Sequence, residues 1–342
     1  MIDLSIVIAS YERADLLDAC LAAVARARDA ARELRIEVIV VDNGSIDESV
    51  ARARASPLGV RVIALDRNLG FAAAVNLGLR IRRGRHVLLL NSDALIETDL
   101  LGRGVSLLDR MQDIGVLGAE LLHPDGRPQR SVHGFPDWTS EVLPERLIRS
   151  LRRRRQPRGS HDSRDGAASA PDVAFPFDPA ILDVDALRGA VFFIRGATLD
   201  EVGELDEGYF FFLEETDYCW RVHAAGQRVV HSTALRATHL LGASSKARAP
   251  LATRIEYQRS LDRFIRIRRG PGAARLARVL RLLRGLVGFL PLALAAPFVP
   301  GLRPRFRERG GLLLWHLRGR PAEPVLAHAL ATAARAKEGI SD

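Results

Sequence analysis

Four short apolar runs, each followed at once by a polar cluster, constrain this chain more than any other feature. Leu4–Ala9, Glu37–Val41, Arg61–Leu65 and His86–Leu90 are short, apolar and bounded by turn or polar residues, the pattern of buried strands. Helix-like segments near Asp15–Arg28, Asp47–Ala55 and Phe71–Arg82 lie between them. Strands and helices alternating at this spacing predict βαβ units and a mainly parallel sheet covered on both faces. Ligands of such sheets sit at the carboxyl ends of the strands. The clusters Ser10–Arg13, Asp42–Ser45, Asp66–Asn68 and Asn91–Asp93 are therefore expected to meet in one crevice.

The rest of the chain bounds what surrounds that sheet. At 342 residues, one large domain with an appendage is expected, and 47% hydrophobic with 27% charged residues excludes global disorder. The net charge of +9 is almost all arginine, since Lys246 and Lys337 are the only lysines. Such an excess fits phosphate recognition, an anionic membrane surface or a compositional habit of the source. Nucleic acid is not an expected partner, because the basic residues are scattered and no finger or aromatic RNA-binding motif is present. Cys20 and Cys219 have no metal-finger or disulfide spacing, which points to a reducing compartment. The N-terminus opens directly on a strand, without a basic, apolar and cleavage-site sequence, so a cytoplasmic location is expected.

Residues 149–180, with the run Arg152–Arg155 followed by Gly, Ser, Asp, Ala and Pro, read as an exposed or disordered insertion. Ordered patterning resumes at Ile181 and continues to His239. Residues 1–245 are thus expected to form the main domain, and 246–342 a helical appendage. There, Thr253–Arg269 and Ala273–Arg284 read as arginine-rich amphipathic helices, and Gly285–Leu302 carries no charge. A spanning helix needs ~20 apolar residues, and Pro291, Pro297 and Pro300 argue against one straight helix. Peripheral insertion into the inner face of the cell membrane, with flanking arginines at the surface, is the expectation. A hairpin packed on the main domain is the alternative.

Several motifs can carry chemistry. Asp42 follows a buried strand, with Gly44 permitting a tight turn. Its carboxylate can accept from a pyrimidine imide or a ribose hydroxyl, or simply form an Asx turn. Gly70, between Asn68 and Asn76, allows close backbone approach at a helix N-terminus suited to a diphosphate. Asn76 either contacts ligand or satisfies a buried polar group. Asn91, Ser92 and Asp93 end an apolar strand in oxygen ligands suited to Mg²⁺ or Mn²⁺, or else cap the following segment. Glu214, Glu215 and Asp217 gather where a helix begins, which the helix dipole alone can favour. Three acids within four residues nonetheless invite a function. His239, after a strand-like run, can add an imidazole to the metal.

In this order the motifs resemble family 2 glycosyltransferases of the GT-A fold, especially rhamnosyltransferase-like members. The matching segments are Ser5–Arg13, Val41–Ser45, Asn68–Leu79, Leu88–Asp93, Gly115–Gly126, Arg188–Ala190, Val202–Glu207, Tyr209–Arg221 and His239–Gly242. The resemblance implies an inverting enzyme that moves a sugar from a nucleotide diphosphate to a hydroxyl of a cell-envelope glycan or lipid-linked acceptor. It implies that Asp42 recognises the base, with Ala9, Tyr11 and Arg13 lining the same pocket. Asn91, Asp93 and His239 would hold the metal, Glu215 would be the catalytic base, and Gly189 and Glu214 would flank the donor sugar or acceptor. Asp217 shares the catalytic motif. Two departures stand out: Asn91 replaces a common aspartate, and Glu215 is one methylene longer than the usual base. A nucleotidyltransferase or a catalytically silent membrane scaffold are the competing classes, separable by turnover of a nucleotide sugar.

Overall fold

The computed structural model describes residues 1–141, 181–240, 249–318 and 325–338. The insertion expected over 149–180 therefore lies outside the described residues. The four expected strands form as β1 (Ile2–Ser10), β2 (Ile36–Asp42), β3 (Arg61–Ala64) and β4 (Gly84–Leu90). Helices α1 (Ala14–Ala30), α2 (Ser49–Ala55) and α3 (Phe71–Arg80) connect them. Helix α2 starts two residues later than expected because Asp47 sits outside it, its Oδ1 accepting the Ser49 N–H at 3.0 Å and its Oδ2 the Ala14 N–H at 3.1 Å.

Then follow β5 (Ala94–Ile96), α4 (Leu100–Arg110), β6 (Ile114–Leu122), β7 (Val132–His133), β8 (Ile181–Asp183), β9 (Ala186–Leu187) and β10 (Val191–Arg195). After these come α5 (Gly196–Val202), α6 (Glu214–Ala224) and β11 (Arg228–His239). The main sheet runs in the order β3-β2-β1-β4-β10-β6-β11-β5, with β8 also on β11. Its first four strands are parallel. Strand β10 then runs antiparallel to both β4 and β6.

Period-two alternation explains the two faces. Ile6, Ile8, Val38, Val40, Leu88 and Leu90 join α1 and α4 in one apolar cluster. Val7, Ile39, Val41, Val87 and Leu89 join α3, α5 and α6 in the other. Such strands, buried on both faces, read as near-continuous hydrophobic runs. On β10, Phe193 belongs to the first cluster and Phe192 to the second. The Phe193 ring lies where a Cβ on Gly104 would stand, at 2.4 Å, so α4 needs glycine there.

The chain divides into two compact units. The first holds all eleven strands and α1–α6. The second holds, among the described residues, Tyr209–Leu213 and the helices α7 (Pro250–Arg269), α8 (Pro271–Ala295), α9 (Arg303–Leu317) and α10 (Val325–Glu338). Tyr209–Leu213 is a short strap grouped with these helices: the Ser260 hydroxyl donates to the Phe211 carbonyl at 2.8 Å, and Arg263 lies over the Tyr209 ring.

Pro291 does not break the appendage as expected. Helix α8 runs unbroken through it to Ala295. An internal proline removes the hydrogen bond to the carbonyl four residues earlier, here Val287, and at the next position Arg309 Nη1 braces the helix by donating to the Gly288 carbonyl at 2.7 Å. The uncharged stretch is therefore the second half of α8, a turn and the short 3₁₀ segment Pro300–Leu302.

Candidate functional site

The strand order sets the ends of β2, β1 and β4 side by side, with Ser10 the register partner of Asp42. Asp42 is 1% exposed. Its Oδ2 accepts the Ser45 N–H at 2.8 Å, while its Oδ1 is buried with no hydrogen-bond partner. Ser10 Oγ is buried in the same condition. Burial raises the Asp42 pKa above the ordinary carboxylate value, against the opposing pull of the Ser45 hydrogen bonds. Buried polar atoms are normally satisfied, so an acceptor and a hydroxyl orphaned on paired strand ends mark a place built for a polar ligand. Ser10 opens the first of the polar clusters expected to meet in the crevice, and the register sets it beside Asp42.

The neighbouring loops are braced on one another. Gly44 has φ +81°, and a Cβ there would stand 2.6 Å from the Arg67 backbone, so only glycine fits. Asn43 Nδ2 donates to Asn68 Oδ1 and to the Gly70 carbonyl, both at 3.0 Å, and Asn43 Oδ1 accepts the Leu69 N–H. Asn68 Oδ1 also accepts the Gly70 N–H. Asn68 and Gly70 thus fix the loop that opens α3. Glu12, at φ +57°, accepts the Ile46 N–H at 2.7 Å and clasps the β1 loop to the β2 loop. Ala9 lies one residue before the end of β1, and half-buried Tyr11 and Arg13 follow the strand, Arg13 paired with Asp15 at 3.1 Å.

Asp93 and His239 lie far apart in sequence and adjacent in space. Antiparallel pairing of β5 with β11 sets His239 opposite Ala94, and the Leu240 N–H donates to the Asp93 carbonyl at 3.0 Å. His239 Nε2 is then 3.2 Å from Asp93 Oδ1. Two ligands at ~2.0–2.2 Å from one cation, at right angles, would be about 3 Å apart. The pair has the donor types and separation a divalent ion needs. No third His, Cys, Asp or Glu joins them among the described residues. Asn91 is held by its backbone, its N–H donating to the Ala190 carbonyl at 3.0 Å, and Ser92 lies between Asn91 and Asp93.

That contact carries the site to Glu215. Ala190 follows Gly189, where a Cβ would stand 3.4 Å from both Cβ and Cγ of Glu215. Glu215 Oε2 is buried without a partner. Burial raises the Glu215 pKa, while the Arg188 charge and the Gly189 N–H pull toward the ionised form. Beside it, Thr216 Oγ1 is 2.9 Å from His133 Nε2, and burial pushes His133 down to about 4, so that imidazole is neutral. His133 went unmarked in the sequence, whereas Arg188 opens one of the matching segments; both are brought in by long-range pairing of β7 with β9. Glu214 is buried on the same first turn of α6.

Two expected site residues do other work. Asn76 was expected on the donor, but its Nδ2 donates to the Leu205 carbonyl and to Glu207, and its Oδ1 accepts the Leu205 N–H. Fully engaged, it clamps the 205–207 loop. Asp217, expected in the catalytic motif, is fully buried and holds Arg221 at 3.1 Å. Arg221 in turn donates to the carbonyls of Val202 and Glu204, each at 2.7 Å. Asp217 is held in this knot.

The raised Glu215 pKa fixes a sign. A carboxyl whose pKa is higher folded than unfolded binds more protons in the folded state, so its contribution to stability is lost as pH rises through the folded value. Replacing Glu215 with Gln removes that loss. The melting temperature of Glu215→Gln minus that of wild type should climb from about pH 4.3 upward. A difference that stays flat from pH 4 to 8, measured by calorimetry, would contradict the raised pKa of Glu215.

Comparison with known proteins gives a consistent picture. Residues 5–169 match the model described as Glycosyl transferase family 2. The succinoglycan biosynthesis protein ExoO of Rhizobium meliloti is 36% identical over 131 residues, 37% of this chain and 36% of that protein. A dodecaprenyl-phosphate galacturonate synthase of Rhizobium johnstonii is 30% identical over 117 residues, 33% of this chain and 34% of that protein. The matched stretch thus spans about a third of each relative. Among solved structures, the mannosyltransferase PcManGT from Pyrobaculum calidifontis, in complex with GDP-Man and Mn²⁺, aligns with a TM-score of 0.53 at 16% identity. That alignment covers 98% of this chain and 87% of that one. GalNAc-T7 with UDP, GalNAc and Mn²⁺ aligns at 0.56 and 14% identity, over 93% of this chain and 57% of that one. These likenesses establish the GT-A-type α/β fold.

Proposed function

Because this chain carries a domain of glycosyl transferase family 2, we propose that it transfers a sugar from a nucleotide diphosphate to an acceptor hydroxyl with inversion at the anomeric carbon. The observation that carries the reading is the run of contacts from the Asp93–His239 pair, through Asn91, Ala190 and Gly189, to Glu215. It supports reading Asp93 and His239 as the cation ligands and Glu215 as the proton acceptor of one site, linked by a short relay of contacts.

Glu215 takes the acceptor hydroxyl proton as the oxygen bonds to the anomeric carbon, and the bond from that carbon to the diphosphate breaks. Asp93 and His239 are the residues that would hold Mg²⁺ or Mn²⁺, which when bound neutralises the departing diphosphate. Asp42 Oδ1 and Ser10 Oγ would receive the nucleoside. A pyrimidine imide N–H supplies the donor that Oδ1 lacks, which supports a uridine- or deoxythymidine-diphosphate donor; deoxythymidine-diphosphate rhamnose is the one the sequence resemblance favours. A cell-envelope glycan or lipid-linked acceptor is supported by two relatives named for succinoglycan biosynthesis and for dodecaprenyl-phosphate galacturonate synthesis.

A thermal-shift screen of nucleotide diphosphates and nucleotide sugars, with and without Mn²⁺, tests the reading, since a ligand of the folded state raises its melting temperature. Stabilisation that needs both nucleotide and Mn²⁺, followed by release of nucleoside diphosphate on adding acceptor, is expected. Indifference to every nucleotide sugar would refute it.

Peripheral attachment to the inner face of the membrane belongs to the same proposal. No described helix is long and apolar enough to cross a bilayer. Helix α8 instead exposes Val279, Leu283, Val287, Leu290 and Leu294, with Leu294 76% exposed. Their spacing of three or four residues makes one stripe, the form an interfacial helix takes. Leu290→Asp with Leu294→Asp should cut co-sedimentation with anionic liposomes about tenfold or more, since each buried apolar side chain is worth ~1.5–3 kcal/mol, and leave melting unchanged. Equal sedimentation of wild type and variant would remove the membrane from the proposal.

A further inference from the structure

Gln129 follows the turn after β6 and is 6% exposed. Its backbone N–H donates to the Leu121 carbonyl at 2.7 Å. Its side-chain Nε2 donates to two main-chain carbonyls, Leu122 at 3.0 Å and His239 at 2.6 Å. Its Oε1 lies 3.2 Å from His239 Nδ1.

These contacts decide two orientations that heavy-atom positions alone leave open. Carbonyl oxygens only accept, so the amide nitrogen must face Leu122 and His239, and the amide cannot be turned over. Its oxygen therefore faces Nδ1. An amide oxygen also only accepts, so Nδ1 must carry the proton. The neutral imidazole then has its lone pair on Nε2, directed at Asp93 Oδ1 across 3.2 Å. A lone pair and a carboxylate oxygen facing each other this closely repel unless a proton or a metal cation lies between them.

We propose that Gln129 is a positioning residue: it commits His239 to the Nδ1–H tautomer and so presents Nε2, together with Asp93, to a divalent cation. The inference rests on the metal reading above. A histidine that ligates through one nitrogen commonly has the other held by an acceptor of this kind, whose loss costs ~10–100-fold in metal affinity. The signal was invisible in the sequence, since Gln129 and His239 are 110 residues apart.

Two variants separate this role from simple bracing of the turn. Gln129→Met removes both the donors and the acceptor, whereas Gln129→Glu removes the donors but keeps an acceptor for Nδ1–H. Full-length protein is titrated with Mn²⁺ alone, following loss of the free-ion electron paramagnetic resonance signal. Gln129→Met should bind ~10–100-fold more weakly than wild type, with Gln129→Glu within a few-fold of wild type. Nitrogen-15 spectra of metal-free, histidine-labelled protein, above the ordinary imidazole pKa of ~6.5, should show His239 protonated at Nδ1 in wild type and Gln129→Glu, but not in Gln129→Met. Equal weakening in both variants would assign Gln129 to bracing and overturn the inference. Wild-type binding matched by Gln129→Met would overturn it too. A wild type that binds no Mn²⁺ fails at the earlier step and removes the cation site itself.

Discussion

Replacing Glu215 with Gln should lower turnover by ~10²–10⁴, the usual contribution of general-base catalysis, while leaving donor affinity nearly unchanged. Glutamine keeps the shape and much of the hydrogen bonding but cannot accept the proton. The Glu215 carboxylate suits the task because burial raises its pKa while Arg188 and the Gly189 N–H oppose that rise. Glu215→Asp should retain part of the activity if the carboxylate is the working element. Asp217→Asn should instead lower melting temperature more than turnover, since Asp217 holds Arg221 to the carbonyls of Val202 and Glu204. Steady-state kinetics with a nucleotide-sugar donor decide the matter. Normal turnover in Glu215→Gln together with a dead Asp217→Asn would move the base to Asp217.

Asp93→Ala should reduce transfer about 10³-fold, the several kcal/mol that a metal supplies to a departing diphosphate. The fold should survive, because the Asp93 backbone carbonyl, not its carboxylate, pairs with Leu240. Excess chelator should bring wild type down to the level of the variant. Full wild-type activity in chelator would dismiss the metal, and Asp93→Ala with unchanged turnover would dismiss Asp93 as its ligand.

Much of this was legible in the sequence because it is local. The first four strands, their order of polar ends and the breaks at Gly44 and Gly70 all follow from apolar period and turn chemistry. Asp93 and His239 could be named separately, but their meeting depends on β5 pairing with β11, a contact between segments remote in sequence. Asn76 and Asp217 needed the structure for the opposite reason. Each is a polar side chain in an active-site motif, and only the structure shows its bonding capacity already filled by neighbouring loops. The unbroken α8 was missed because proline propensity is weighed without knowing that Arg309 serves the Gly288 carbonyl.

The reversed strand β10 has a consequence for how such an enzyme can change. In a parallel sheet only the segments leaving each strand reach the ligand edge, and those segments must also lead back across a helix. Because β10 runs the other way, the segment entering it, Arg188–Ala190, arrives at that edge beside Asn91. Insertions or exchanges before Arg188 can thus reshape the site without disturbing the βαβ path through β1–β4. Within β10 the tolerance vanishes. A shift of one residue would exchange Phe192 with Phe193 between the two cores and drive a ring out of the place Gly104 leaves for it. Variation should therefore be abruptly absent from Val191 to Arg195.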